Sequence, residues 1–159
     1  MWIWFFLNQQ PWRLVTSNSS HLIIQVSNAG SVSPANPIPR RILLVEDNYL
    51  NRQMLEDYLV FCGYQVLSLA VGAGFFQALA DFQPELILLD LKLPDVNGYT
   101  LLEQMSCRQD CQNPPVIVVS AFAFKTDQQR ALDLGAKRYF VKPVSLRDLR
   151  QAIEEELLK

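Results

Sequence analysis

Histidine and cysteine are scarce in this chain. There is one histidine and there are three cysteines among 159 residues. An odd, small cysteine count excludes a disulfide framework and fits a reducing, cytoplasmic setting. Cys107 and Cys111 make a C-x3-C pair, but no further ligands stand at zinc-site spacing, and His21 lies far away in the N-terminal region. No apolar run approaches the ~18 residues of a membrane span, so no membrane insertion is expected. A basic excess is missing too: 14 Lys and Arg face 16 Asp and Glu, a net charge of −2. A nucleic-acid partner is therefore not expected. Half of the residues are nevertheless apolar, enough for one globular core and too many for a disordered chain.

Acidic residues are absent from residues 1–40, whose only charges are Arg13 and Arg40. Trp2–Leu7 is apolar but too short for a signal-peptide core, and neither a basic start nor a small-residue cleavage site flanks it. Pro34, Pro37 and Pro39 fall within six residues and read as a linker. Residues 1–40 are thus expected to be a poorly structured N-terminal extension, and residues 41–159 a folded domain.

From residue 41 onward, strand and helix patterns alternate. Arg41–Val45, Tyr64–Leu69, Leu86–Leu89, Val116–Val119 and Arg138–Val141 read as strands; the first is a short apolar run of the kind buried in parallel sheets. Between and after them, helical spacing predicts Tyr49–Phe61, Gly74–Phe82, Gly98–Cys107 and Lys125–Leu134. A last helix is capped by Ser145, with Leu146, Leu149, Ile153 and Leu157 as its stripe. In the first helix Met54, Leu55, Tyr58 and Leu59 form the apolar set. Five such units imply an α/β, doubly wound (βα)5 parallel sheet, whose strand C-termini share one ligand-binding edge.

The residues at those C-termini carry the chemistry. Glu46 and Asp47 follow the first strand, Asp90 the third, Ser120 and Ala121 the fourth, and Lys142 the fifth; the second ends blandly in Leu69-Ala70-Val71. With strand order 2-1-3-4-5 the four polar ends are neighbours. Three carboxylates together need compensation, and a hard divalent cation such as Mg²⁺, aided by Lys142, supplies it. Such a site could accept a phosphoryl group on Asp90, with Ser120 and the backbone N–H of Ala121 binding its oxygens.

The segments ILLVEDN (Ile42–Asn48), LLDLKLPDVNG (Leu88–Gly98), VVSAF (Val118–Phe122) and YFVKP (Tyr139–Pro143) resemble the receiver domain of two-component response regulators. The resemblance covers residue 41 to the end. It implies a flavodoxin-like fold and phosphorylation of Asp90 by a sensor histidine kinase or a histidine phosphotransfer protein. It also implies Mg²⁺ held by Glu46, Asp47, Asp90 and the backbone oxygen of Lys92. Ser120 matches the hydroxyl that moves toward the phosphate, Tyr139 the aromatic switch that follows it, and Lys142-Pro143 a cis bond. Lys92 and Phe122 match positions flanking the hydrolytic water, and bulky Phe122 predicts a long-lived phosphoryl group. Glu46-Asp47-Asn48 followed by Asn51-Arg52 is similar to receivers of hybrid kinases.

The expectation is a phosphorylatable signalling receiver without an output domain. It would act on a downstream protein target or pass the phosphoryl group onward in a phosphorelay, catalysing only its own phosphorylation and slow dephosphorylation. An aspartyl-phosphate phosphatase of the haloacid-dehalogenase type would need a second aspartate where Lys92 stands. A non-phosphorylated pseudo-receiver binding module is the remaining alternative. Cys62 reads as packing at a helix end, Glu154–Glu156 as a solvated face, Gly72 and Gly74 as no dinucleotide fingerprint, and Leu50 as an ordinary surface leucine, with a contact to a partner helix as the less favoured reading.

Overall fold

A computed structural model of the chain describes residues 39–108 and 113–159. Residues 1–38 of the expected N-terminal extension and Cys111 lie outside them. The strands are β1 (Arg41–Val45), β2 (Gln65–Leu69), β3 (Leu86–Leu89), β4 (Val116–Ser120) and β5 (Arg138–Val141). The helices are α1 (Tyr49–Phe61), α2 (Phe75–Phe82), α3 (Gly98–Ser106), α4 (Lys125–Asp133) and α5 (Leu146–Leu157). All five strands are parallel, in the order β2-β1-β3-β4-β5. This is the flavodoxin-like arrangement that the alternating pattern implied.

Strand alternation sorts the core onto two faces. Leu43, Val45, Ile87, Leu89, Val116 and Val118 pack with residues of α2, α3 and α4, Phe75 and Met105 among them. Ile42, Leu44, Leu86, Leu88, Ile117 and Val119 pack with Leu55 and Leu59 of α1 and with Leu149, Ala152 and Ile153 of α5. The central strands are buried on both faces, which is why they read as continuous apolar runs.

Several element limits move by one residue from the expected ones. β2 begins at Gln65, and β4 runs on to Ser120. Cys107 and Leu134 cap α3 and α4 from outside rather than closing their last turns. Gly74 precedes α2 because its φ of 84° is left-handed, a conformation open to glycine but not to a helical residue. Met54 was expected in the buried set of α1, yet it is exposed; Leu55 and Leu59 alone are buried there.

The acid run near the end of α5 is also not uniformly solvated. Glu156 is buried and accepts from Arg138 Nε at 2.9 Å and Lys159 Nζ at 2.8 Å. Burial alone would raise its pKa, but the hydrogen bonds from Lys159 and Arg138 outweigh burial and hold the carboxyl below its ordinary value. Its contribution to stability is therefore present above the ordinary carboxylate range and is lost as pH falls through the lowered value. Both cations remain partly in water, so Glu156→Gln is expected to cost about 1 kcal/mol near neutrality. Thermal melts of both proteins between about pH 7 and pH 3 check this: the gap closes toward the acid end.

Candidate phosphoacceptor site

The sheet's hydrogen-bond ladder runs on into the residues at its C-terminal edge. Glu46 N donates to Leu69 O at 3.0 Å, Asp90 N to Val45 O at 2.9 Å, and Lys142 N to Ser120 O at 2.9 Å. The candidate residues thus have backbones fixed by the sheet, although they lie at or just beyond its strands.

Their side chains converge. Lys142 Nζ donates to Glu46 Oε2 and to Asp90 Oδ2, both at 2.6 Å. Asp90 Oδ1 accepts from Lys92 N at 3.0 Å, which orients the carboxylate within its own loop. Glu46 and Asp90 are buried, with 1% and 4% exposure, whereas Asp47 is exposed. Burial by itself would lower the Lys142 pKa; the bonds to Asp90 and Glu46 overcome it and hold the ammonium above the usual lysine value. Lys142 is therefore held as a cation between two buried carboxyl groups.

Glu46, Asp47 and Asp90 each present a carboxylate oxygen within 4.8 Å of the others. One ammonium among three carboxylates leaves a formal surplus of two negative charges. Carboxylate oxygens with one exposed member suit a hard, partly hydrated divalent cation. The residues present therefore fit Mg²⁺.

Ser120 is fully buried at the end of β4, with Ala121 exposed beside it. The Phe122 N–H points to Ser120 Oγ at 3.4 Å. Tyr139 is half-buried on β5 and donates from its hydroxyl to the Phe122 carbonyl at 2.9 Å. Lys92 and Phe122 line a shallow hollow of about 310 Å³ together with the β3–α3 loop. The Lys142-Pro143 bond is cis. The structure thus gathers Glu46, Asp47, Asp90 and Lys142 into one cluster, and ties Tyr139 to the loop that follows Ser120.

Two contributors were not assigned roles from the sequence. Arg52 donates to the carbonyls of Glu46 and Asp47 at 2.7 and 3.0 Å, clamping the acidic loop from α1. Asn51 Nδ2 reaches Glu46 Oε1 at 3.3 Å. The signal was their spacing: Asn48 caps α1 by accepting from Asn51 N, which turns the following residues back over the loop. Asp95 adds a second brace. Its carboxylate accepts from Gly72 N and Ala73 N at 2.9 and 2.7 Å, joining the β3–α3 loop to the β2–α2 loop.

Gly98 is needed for close approach. A Cβ there would stand 2.6 Å from Leu91 Cα and 2.8 Å from the Asp90 carbonyl oxygen. Neither backbone atom can yield cheaply. Gly98→Ala is expected to cost about 2 kcal/mol. Urea denaturation checks this.

The class defined by this fold and edge is that of a flavodoxin-like α/β domain with a carboxylate cluster at the C-terminal ends of its strands. Residues 42–154 match the response regulator receiver domain family, and the chain belongs to it. It is a receiver domain of the two-component type, a signalling module. The transcriptional regulatory protein GltR of Pseudomonas aeruginosa is 40% identical over 110 residues, covering 69% of this chain and 46% of GltR. The chain thus spans about half the length of that relative. The polar-differentiation response regulator DivK of Brucella anthropi is 32% identical over 109 residues, 69% of this chain and 89% of DivK. A CheY-like receiver from Methanospirillum hungatei superposes with a TM-score of 0.68 at 32% identity, over 76% of this chain and 94% of that one. The receiver of sensor histidine kinase PA1611 from Pseudomonas aeruginosa, crystallised with magnesium coordinated in its active-site cleft, gives 0.69 at 27% identity. It covers 77% of this chain and all of that one. Among the described residues, no helix is long and apolar enough to cross a membrane.

Proposed function

We propose that residues 41–159 are a phosphoacceptor receiver, with residues 1–40 as an extension and linker, and that Asp90 is the residue phosphorylated. The observation that carries this reading is the Asp90 carboxylate, buried, fixed by Lys92 N and paired with Lys142 beside the acidic pair Glu46 and Asp47. An Asp90 oxygen attacks the phosphorus of a phosphohistidine on a sensor kinase or a phosphotransfer protein. The oxygen–phosphorus bond forms as the phosphorus–nitrogen bond breaks, and the pair of electrons leaves with the histidine ring.

Glu46, Asp47, Asp90 and the backbone oxygen of Lys92 would hold Mg²⁺. When bound, Mg²⁺ supplies charge neutralisation and Lewis acidity at the phosphoryl oxygens. Lys142 offers a fixed ammonium to the same oxygens, and the Ala121 N–H and Ser120 hydroxyl offer donors. A Ser120 hydroxyl drawn toward the phosphoryl group would release the Phe122 loop, and Tyr139 would follow. The result is a shifted equilibrium read by a downstream protein target, or onward transfer in a relay.

Uptake of one phosphoryl group from a small acyl phosphate, followed by intact mass, tests the reading. Gain that requires Mg²⁺ is expected. No gain in the folded protein would favour a binding module that keeps the site's form without its chemistry.

Phe122 bears on the lifetime of the product. Phe122 lines the hollow with Lys92 beside the site, where its bulk would hinder an attacking water. Phe122→Asn is expected to lose phosphate several-fold faster, measured as decay of the phosphorylated mass after the donor is removed. An unchanged decay would remove Phe122 from the account.

A further inference from the structure

Helix α4 is weakly anchored by packing. Ala131 is its single buried residue, whereas α3, of equal length, buries five. Its N-cap, Phe124, provides no side-chain acceptor, so the first turn lacks the usual reinforcement. Tyr99 of α3 supplies a hold. Its hydroxyl donates to the Asp127 carbonyl at 3.1 Å and lies 3.5 Å from the Asp127 carboxylate. One turn along α4, the Arg130 guanidinium stands 4.3 Å from the centre of the Tyr99 ring, within cation–π range. The Tyr99 side chain is almost wholly buried. Burial and then the Asp127 charge push its pKa up to about 12, which keeps the phenol a donor.

The other end of this contact reaches the phosphoacceptor loop. Tyr99 follows Gly98, whose N–H donates to the Leu91 carbonyl at 2.9 Å and whose Cα leaves no room beside the Asp90 carbonyl. A shift of the backbone at Asp90–Leu91 therefore moves the start of α3 and the phenol with it.

We propose that Tyr99 is a positioning residue that ties the Asp90 loop to the first turn of α4, and that a change at Asp90 loosens this tie. The hydrogen bond differs from that of Tyr139, which packs against the same core cluster but holds the Phe122 carbonyl, whereas Tyr99 holds Asp127. The second half of the proposal rests on Asp90 being the phosphoacceptor; the first half does not.

Amide hydrogen exchange on the full chain and on Tyr99→Phe tests both halves. Without any phosphoryl donor, Tyr99→Phe should raise exchange across residues 125–130 roughly tenfold, the loss of one net hydrogen bond, with β3 unchanged. Equal exchange in the two proteins, or a rise spread over the whole sheet, would overturn the tie. With Mg²⁺ and excess acyl phosphate, exchange in the same segment of the native protein should rise toward the variant's level, while the variant changes little. A native protein that takes up phosphate without this rise would overturn the coupling. A native protein that takes up none would overturn the phosphoacceptor reading instead, and the donor-free comparison would still decide the tie.

Discussion

Asp90→Asn is expected to take up no phosphoryl group from a small acyl phosphate, whereas the native chain is expected to gain one. The substitution keeps the shape and leaves an oxygen to accept from Lys92 N, so the loop retains its main restraint. It removes the nucleophile, because an amide nitrogen has its lone pair delocalised and the amide oxygen carries no full charge. It also turns an amide toward the Lys142 ammonium where a carboxylate stood at 2.6 Å. The expected loss is complete to within the background of the mass measurement. Uptake in Asp90→Asn at the native rate would place the chemistry elsewhere, with Glu46 and exposed Asp47 the clustered carboxylates to suspect.

The second large effect is on stability. Lys142→Met leaves the buried carboxylates of Glu46 and Asp90 without their shared cation. Met fills much of the lysine stem's volume, so the loss is electrostatic rather than a cavity. Removing one partner of a buried ion pair costs about 3 kcal/mol or more, and here two anions are abandoned. Chemical denaturation in buffer with a chelator should read this loss. Adding Mg²⁺ should recover part of it and should raise the melting point of the variant more than that of the native protein, since ligand binding to the folded state stabilises by mass action. A variant as stable as the native chain under chelation would mean that water already screens the pair. A variant indifferent to Mg²⁺ would argue against the carboxylate cluster as the cation site.

Much of the architecture was legible because parallel strands buried on both faces leave an unambiguous trace. Ile42–Val45, Leu86–Leu89 and Val116–Val119 are all apolar, and each ends at a polar residue. Given strand order, those polar ends had to be neighbours, so Glu46, Asp90, Ser120 and Lys142 could be gathered before any distance was known. What escaped reading depends on which neighbour faces a residue. Glu156 sits in an acidic run, and only Arg138 reaching across from β5 and Lys159 beyond the helix end make its burial tolerable. Met54 has the right helical spacing for the core, but the α1 face that meets the sheet is narrow and Leu55 and Leu59 fill it. Arg52 acts on carbonyls, which have no sequence identity to read. The Tyr99–Asp127 contact joins two helices that are distant in sequence, and no local pattern announces it.

These observations make the C-terminal edge of the sheet one electrostatic unit. Lys142 neutralises part of the charge on Glu46 and Asp90, the acidic surplus fits a divalent cation, and the loops beyond the edge are braced by Asp95, Tyr139 and Tyr99. A change in charge at Asp90 would act on Lys142 directly and, through the Tyr99 tie proposed above, on α4. Such coupling is what a signalling domain requires.

The most direct test is to locate the phosphoryl group itself. Borohydride reduces an aspartyl phosphate to homoserine, so the protein is treated with acyl phosphate and Mg²⁺, reduced, digested and mapped by mass. Homoserine at position 90, and at no other aspartate, is the predicted result. Reduction at Asp47, or phosphate that survives borohydride on a hydroxyl such as that of Ser120, would contradict the assignment of Asp90 as the phosphoacceptor.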